Sequence, residues 1–205
     1  MNEYKTDGSL ASKYTYTYDN NGNKIESNLY KSDGSLDRKY TYIYDDKGKQ
    51  LELNEYATDG SLDGKYTYTY DNKGNKIESK YYQSDGSLKY KNTFKYDDKG
   101  NRIEWYKYKT DGSLDYKSTS KYDNKGNEIE SELYNSEDTL DSKYTFKYDD
   151  KGNMTELNVY KSDGGLDKNY TYNYQYDKNK NWIKKIEFEN NIPKFVVERE
   201  YEYYN

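Results

Sequence analysis

The chain contains no histidine and no cysteine. The side chains most used as general bases, nucleophiles and transition-metal ligands are therefore missing. What remains for chemistry is tyrosine, 31 of 205 residues, with amide, hydroxyl and carboxylate groups. Six residues interrupt an otherwise regular pattern. Asn92, Ser118 and Ser120 stand where other copies of a repeat carry tyrosine, and Tyr90, Tyr106 and Tyr116 stand where other copies carry mostly Ser, Asn, Arg or Lys. Rings beside hydrogen-bonding side chains suit a sugar or a peptide edge, so these six are the candidate ligand-binding residues. Drift with compensating packing is the competing reading.

Asp and Glu recur with the repeat, which favours solvated and turn-capping roles over paired acid–base work. The Asp-Asn-Asn-Gly-Asn loops share residue types with calcium loops but lack the ligand spacing and the terminal glutamate. No enzyme activity, metal or cofactor is expected. The formal net charge is −5 with Lys and Glu intermixed, so there is no basic stripe for nucleic acid. No apolar run is long enough for a membrane span, and no signal-like stretch precedes the first repeat. Oligomeric state is not legible.

The elements that position these residues follow from the repeat. Tyr4, Tyr30, Tyr56, Tyr82, Tyr108, Tyr134 and Tyr160 recur every 26 residues, and Gly22, Gly48, Gly74, Gly100, Gly126 and Gly152 keep the same spacing. Each copy holds two alternating segments, such as "KYTYTYD" and "NKIESNLY", built of good strand formers. Asp-x-x-Gly-Asn and x-x-Asp-Gly-Ser lie between them as hairpin signals. Leu, Ile, Val and Phe are scarce, and tyrosine supplies the apolar area. The predicted fold is all-β. It is a continuous antiparallel meander of 26-residue β-hairpin repeats, about fourteen strands plus a terminal one. These form a coiled, largely single-layer sheet, an open superhelix or partial shell. Residues 1–188 form seven tandem repeats, and residues 189–205 a C-terminal capping strand, with "KFVVEREYEYY" as that strand. Ile186 and Phe188 are expected on the tyrosine face. Because the chain enters the array at the end of a second strand, further repeats or a leader are expected upstream.

Three-residue turns with glycine third pair odd residues with odd and even with even. Tyr14, Tyr16 and Tyr18 then share a face with Lys24, Glu26, Asn28 and Tyr30, while Thr15, Thr17, Ile25, Ser27 and Leu29 occupy the other. Tyr16 pairs with Glu26 and onward with Tyr40, an advance of 24 residues against a period of 26. In the irregular centre the same rule sets Tyr106 between Asn92 and Tyr116, and Tyr90 opposite Tyr108.

The pattern Tyr-x-Tyr-Asp-x-x-Gly-Asn-x-Ile, at Tyr16 to Ile25 and Tyr68 to Ile77, resembles the YD repeats of RHS-like bacterial surface and toxin proteins. The resemblance implies a coiled sheet, sometimes a shell, on extracellular or cell-surface bacterial proteins. Some members are associated with carbohydrate binding or with enclosing a toxin. The second turn also resembles choline- and glucan-binding hairpin repeats, which rely on recurrent tryptophans, whereas this chain has only Trp105 and Trp182. The expected function is a non-enzymatic extracellular scaffold or adhesin-like binding module for a glycan or protein ligand. The alternative is a structural spacer or shell segment of a larger protein.

Overall fold

The computed structural model describes residues 2–4, 6 and 8–203. Sixteen strands neighbour one another in chain order within one sheet, and no helix occurs among the described residues. The strands are β1 (Asn2–Tyr4), β2 (Leu10–Tyr18), β3 (Lys24–Lys31), β4 (Leu36–Tyr44), β5 (Gln50–Tyr56), β6 (Leu62–Tyr70), β7 (Lys76–Gln83) and β8 (Leu88–Tyr96). They continue with β9 (Arg102–Lys109), β10 (Leu114–Tyr122), β11 (Glu128–Tyr134), β12 (Leu140–Tyr148), β13 (Met154–Lys161), β14 (Leu166–Tyr176), β15 (Trp182–Glu189) and β16 (Ile192–Glu198). The chain divides into two units, Met1–Phe94 with Lys107–Ser113, and Lys95–Tyr106 with Leu114–Asn205. Both are built from the same hairpin pair. The all-β meander is as the alternation of Tyr with Thr predicts.

The turns take the expected form. Asp19 N–H donates to Asn23 O at 2.9 Å, and Gly22 N–H to Asp19 O at 3.1 Å. Gly22 adopts φ +83°, a region that penalises a Cβ. The Asp19 carboxylate accepts from the N–H groups of Asn21 and Asn23 at 2.9 and 2.8 Å. In the second turn Lys31 N–H donates to Ser35 O at 2.9 Å, with Gly34 at φ +84°.

The facing differs from the expected one. Tyr18 pairs with Lys24, but Thr17 pairs with Glu26, so Ile25 has no partner in β2. Tyr30 pairs with Leu36, but Leu29 pairs with Arg38, leaving out Asp37. Each turn is thus followed by a β-bulge, which adds one residue to one strand and exchanges the faces beyond it. Odd residues now pair with even: Tyr16 lies opposite Ser27, and Ser27 opposite Tyr40. The advance of 24 residues survives because both hairpins shift alike.

One face therefore carries Tyr14 and Tyr16 with Leu29 and Ser27, and the other carries Thr15 and Thr17 with Asn28 and Glu26. The charges cluster on the threonine face, where Lys39 meets Glu26 at 2.7 Å and Lys65 meets Glu52 at 2.6 Å. Asn54 bridges Glu52 and Thr41 at 2.8 and 3.4 Å. On the tyrosine face, Lys24 and Lys76 supply ammonium groups over rings, 4.5 Å from Tyr42 and 5.0 Å from Tyr68. No hydrophobic side chain is fully buried among the described residues. The most buried groups are Ser27, Asn54 and Ser79, small polar residues covered by their neighbours.

The bulge explains one regularity of the repeat. A bulge disrupts the ladder and frees a carbonyl. The Tyr44 hydroxyl donates to Lys24 O and Tyr70 to Gln50 O, both at 2.8 Å. Tyr122, Tyr148 and Tyr174 reach Arg102, Glu128 and Met154 O at 2.9, 2.8 and 2.9 Å. This place is Tyr in all seven copies, whereas the place two residues earlier admits Phe94, Ser120 and Phe146. Phenylalanine could not make the bond.

At the C-terminal end the same register shift moves Ile186 and Phe188 to the other face, opposite Asn173 and Thr171, not onto the tyrosine face. The last strand is also shorter than "KFVVEREYEYY": it stops at Glu198. Beyond it the Arg199 guanidinium lies 3.4 Å from the Trp182 ring centroid. The Tyr203 hydroxyl bonds the Asp177 carboxylate and accepts from Asn181 at 2.8 Å.

Candidate functional site: an aromatic platform

In the first unit three strands bring three rings together. Tyr66 of β6 pairs with Tyr81 of β7, and Tyr81 with Tyr90 of β8. Ring centroids are 4.5 Å apart for Tyr66–Tyr81 and 5.4 Å for Tyr81–Tyr90, within the range of favourable aromatic pairs. Gly64 makes room: a Cβ there would lie 2.7 Å from Cε2 and 2.9 Å from Cζ of Tyr81. Burial raises the Tyr66 phenol pKa, and the neighbouring Tyr90 phenol raises it further. Burial likewise pushes Tyr68 up to about 12. Lys89 and Lys107 place ammonium groups 5.7 and 5.4 Å from the rings of Tyr81 and Tyr90.

Beside the rings lies a polar pair. Asn92 faces Ser79 and donates its amide N–H to the Ser79 hydroxyl at 3.2 Å. Where Ser27 faces Tyr40, and Leu53 faces Tyr66, here two small polar side chains meet. The result is an aromatic platform bordered by a low polar step.

In the second unit Trp105 stacks edge-on against Tyr116 at 4.9 Å and 86°. An open hollow of 510 Å³ adjoins them, lined also by Asp115, Leu133, Tyr134, Asn135 and Asp141. Ser118 faces Leu133 and Ser120 faces Ser131. Trp105 holds the repeat position of Ser27, Leu53 and Ser79, and Ser118 that of Tyr40 and Tyr66. A large residue in one place and a small one in the other is compensating packing.

The six sequence-derived residues fall in both units. Tyr90 and Asn92 belong to the first unit and the other four to the second. Tyr106 does not join Tyr116. It follows Trp105 in β9 and so projects from the opposite face, where it donates to Glu104 at 2.9 Å beneath Lys95, 5.7 Å from its ring. Tyr108 likewise lies under Lys91 at 4.7 Å, on the face away from Tyr90. The bulges account for both corrections. The residues the sequence reading passed over are Gly64, Tyr66, Ser79, Tyr81 and Trp105. Tyr81 carried a signal, since its place is Leu29, Glu55, Lys107, Leu133 or Val159 in other copies.

No group of three or more His, Cys, Asp or Glu is arranged to hold a metal among the described residues. No described helix is long and apolar enough to cross a membrane.

No protein-family model matches the chain, and no curated protein does. Among solved structures it is similar to the Photorhabdus luminescens Tc holotoxin pore. That match has 14% identity and a TM-score of 0.43, over 91% of this chain and 13% of that one. It is also similar to a porin-like protein from Bacteroides uniformis, at 15% identity and a TM-score of 0.48, over 90% and 86%. A TcdB2–TccC3 structure matches at 12% identity and a TM-score of 0.41, over 92% and 14%. The chain thus spans about one-seventh of these toxin chains.

Proposed function

We propose that the chain is a non-enzymatic, extracellular bacterial repeat scaffold and binding module, holding a glycan or an extended peptide on the Tyr66–Tyr81–Tyr90 platform. The observation that carries this is the platform itself: three contiguous rings, with Tyr81 leaning over Gly64, beside the Asn92–Ser79 step. The rings offer flat apolar area for a sugar face or a side chain, and the amide and hydroxyl offer orientation. Screening the purified chain on glycan and peptide arrays tests it, with Tyr81→Ala and Tyr90→Ala compared against parent. Binding lost in both variants supports the platform; equal binding by all three removes it.

A second reading is a structural spacer or shell segment. It is supported by the tyrosine-to-carbonyl ties repeated from copy to copy and by the compensation between Trp105 and Ser118. Absence of any saturable binding across the arrays selects this reading.

A further inference from the structure

We propose that the hollow beside Trp105 and Tyr116 is a binding site for a protonated alkylamine, whose ammonium group takes the place of a lysine that this copy of the repeat lacks. Elsewhere a cation of the chain meets the aspartate that follows the second turn. Lys31 lies 3.7 Å from Asp37, and Lys161 lies 3.5 Å from Asp167. Asp63, whose copy has Ala57 at the lysine place, is met instead by Arg38 at 3.3 Å. In the copy with Asp141, the lysine place is Asn135. Asn135 is short, and its side-chain oxygen is held by the turn, accepting from the N–H groups of Glu137 and Thr139 at 2.9 and 3.2 Å. Among the described residues no side chain pairs with the Asp141 carboxylate.

That carboxylate borders the hollow of 510 Å³, a size within the ~300–1,000 Å³ of small-ligand clefts. Asp115 borders it too, and Leu133 gives it an apolar side. Trp105 and Tyr116, at 86° to each other, wall a corner, and the faces of such rings carry the negative part of the aromatic quadrupole. No lysine or arginine lines the hollow. Lys117 is engaged by Asp138 and lies 4.3 Å from the Tyr134 ring, and Arg102 lies 5.5 Å from the Trp105 centroid, outside the lining.

The lining thus offers negative charge and ring faces without an internal cation. An ammonium group there donates to Asp141 while its charge lies against the rings, and its carbon chain covers Leu133. Other copies lack this combination, because Ser27, Leu53, Ser79, Ser131 and Leu157 stand at the place of Trp105.

The hollow lies in the second unit and shares no residue with the Tyr66–Tyr81–Tyr90 platform, so its test is independent of the binding reading. Isotope-labelled full-length chain is titrated with n-butylamine, n-butanol, tetramethylammonium and Nα-acetyl-lysine methylamide at constant ionic strength and neutral pH. Binding is read from the Leu133 amide and Trp105 indole resonances, with the Trp182 indole as internal control. The expected result is a saturable shift with butylamine at Leu133 and Trp105 only, unchanged in Tyr81→Ala. Asp141→Asn and Trp105→Leu should each weaken it about 2–5-fold, the span of an exposed ion pair or cation–aromatic contact. Asn135→Lys supplies the ammonium from within the chain and should abolish the shift. Tighter binding of the lysine amide than of butylamine assigns the group to a peptide side chain, and the reverse to a free amine. No saturable shift, or butanol or tetramethylammonium binding as tightly as butylamine, would overturn the site, since neither carries an ammonium that donates to Asp141. Parent-like binding by both Asp141→Asn and Asn135→Lys would overturn it as well.

Discussion

Gly64→Ala separates the fold from the platform. Gly64 lies inside β6 without positive φ, so alanine fits the backbone and should gain the ~0.5–1 kcal/mol that glycine loses in a strand. Its Cβ would sit 2.7 and 2.9 Å from two Tyr81 ring carbons. Carbon contacts relax near ~3.5–4 Å, so the ring must retreat by roughly 1 Å. The clashing atoms are the far end of a side chain, so the ring swings and the backbone stays. The lost ring contacts, ~0.5–1.5 kcal/mol, oppose the strand gain. Urea unfolding should therefore place the variant within about 1 kcal/mol of parent, while near-ultraviolet circular dichroism reports the displaced ring. Stacking measured for nucleic-acid bases is ~1–3 kcal/mol per ring, so affinity for an array-identified ligand should fall about 5–150-fold. Adding Tyr81→Ala to Gly64→Ala should cause little further loss, because both act through one ring. Parent-like binding by Gly64→Ala alongside failed binding by Tyr81→Ala would refute the role given to Gly64.

Tyr70→Phe should cost ~0.5–1.5 kcal/mol in urea unfolding, since the Gln50 carbonyl loses its donor; Tyr68→Phe, at a place where Phe94 and Phe146 occur naturally, should cost clearly less. Gly74→Val, at φ +92°, should cost on the order of 1–2 kcal/mol, while Lys73→Ala stays near neutral; equal losses would contradict the turn geometry. Against opposing burial, hydrogen bonds from Tyr176, Asn153 and Lys151 hold Asp149 at about 2, and burial with the Asp149 bond pushes Tyr176 up to about 12. The Asp149 contribution is then complete above pH ~4 and lost as pH falls toward 2. The Tyr176 contribution is complete below pH ~10 and lost as pH rises toward 12. Asp149→Asn should flatten the acid limb of a stability-against-pH curve and bring the Tyr176 titration down, read by tyrosinate absorbance; an unchanged Tyr176 titration would mean that the two do not interact.

The period, the hairpins and the left-handed turn glycines were legible because each leaves a residue-type signature: Asp, Gly and Asn in the turns, Tyr alternating with Thr in the strands. The facing was not. A bulge at Ile25 or Asp37 adds one residue without a special side chain, and parity arithmetic fails at the first extra residue. One trace of it was present, the constancy of Tyr18, Tyr44 and Tyr70 where neighbouring places vary. That constancy has meaning only once a freed carbonyl is known to need a donor. The candidate site suffered for the same reason. Tyr90 and Asn92 stand out because they break the pattern, but nothing in the pattern sets Tyr81 and Gly64 beside them, and the parity rule puts Tyr106 on the wrong face.

The tyrosine-to-carbonyl ties have a mechanical consequence. Each spans 20 residues, from Tyr44 to Lys24 or from Tyr148 to Glu128, and so joins a strand only to its immediate neighbour. Under load applied along the chain, no such tie anchors a distant segment. Within each unit a hairpin can peel away while the strands behind it stay folded. One 26-residue copy released in this way lengthens the chain by up to roughly 90 Å. The array would then behave as a series of weak, equal links, yielding in steps under tension and closing again by local pairing when tension falls.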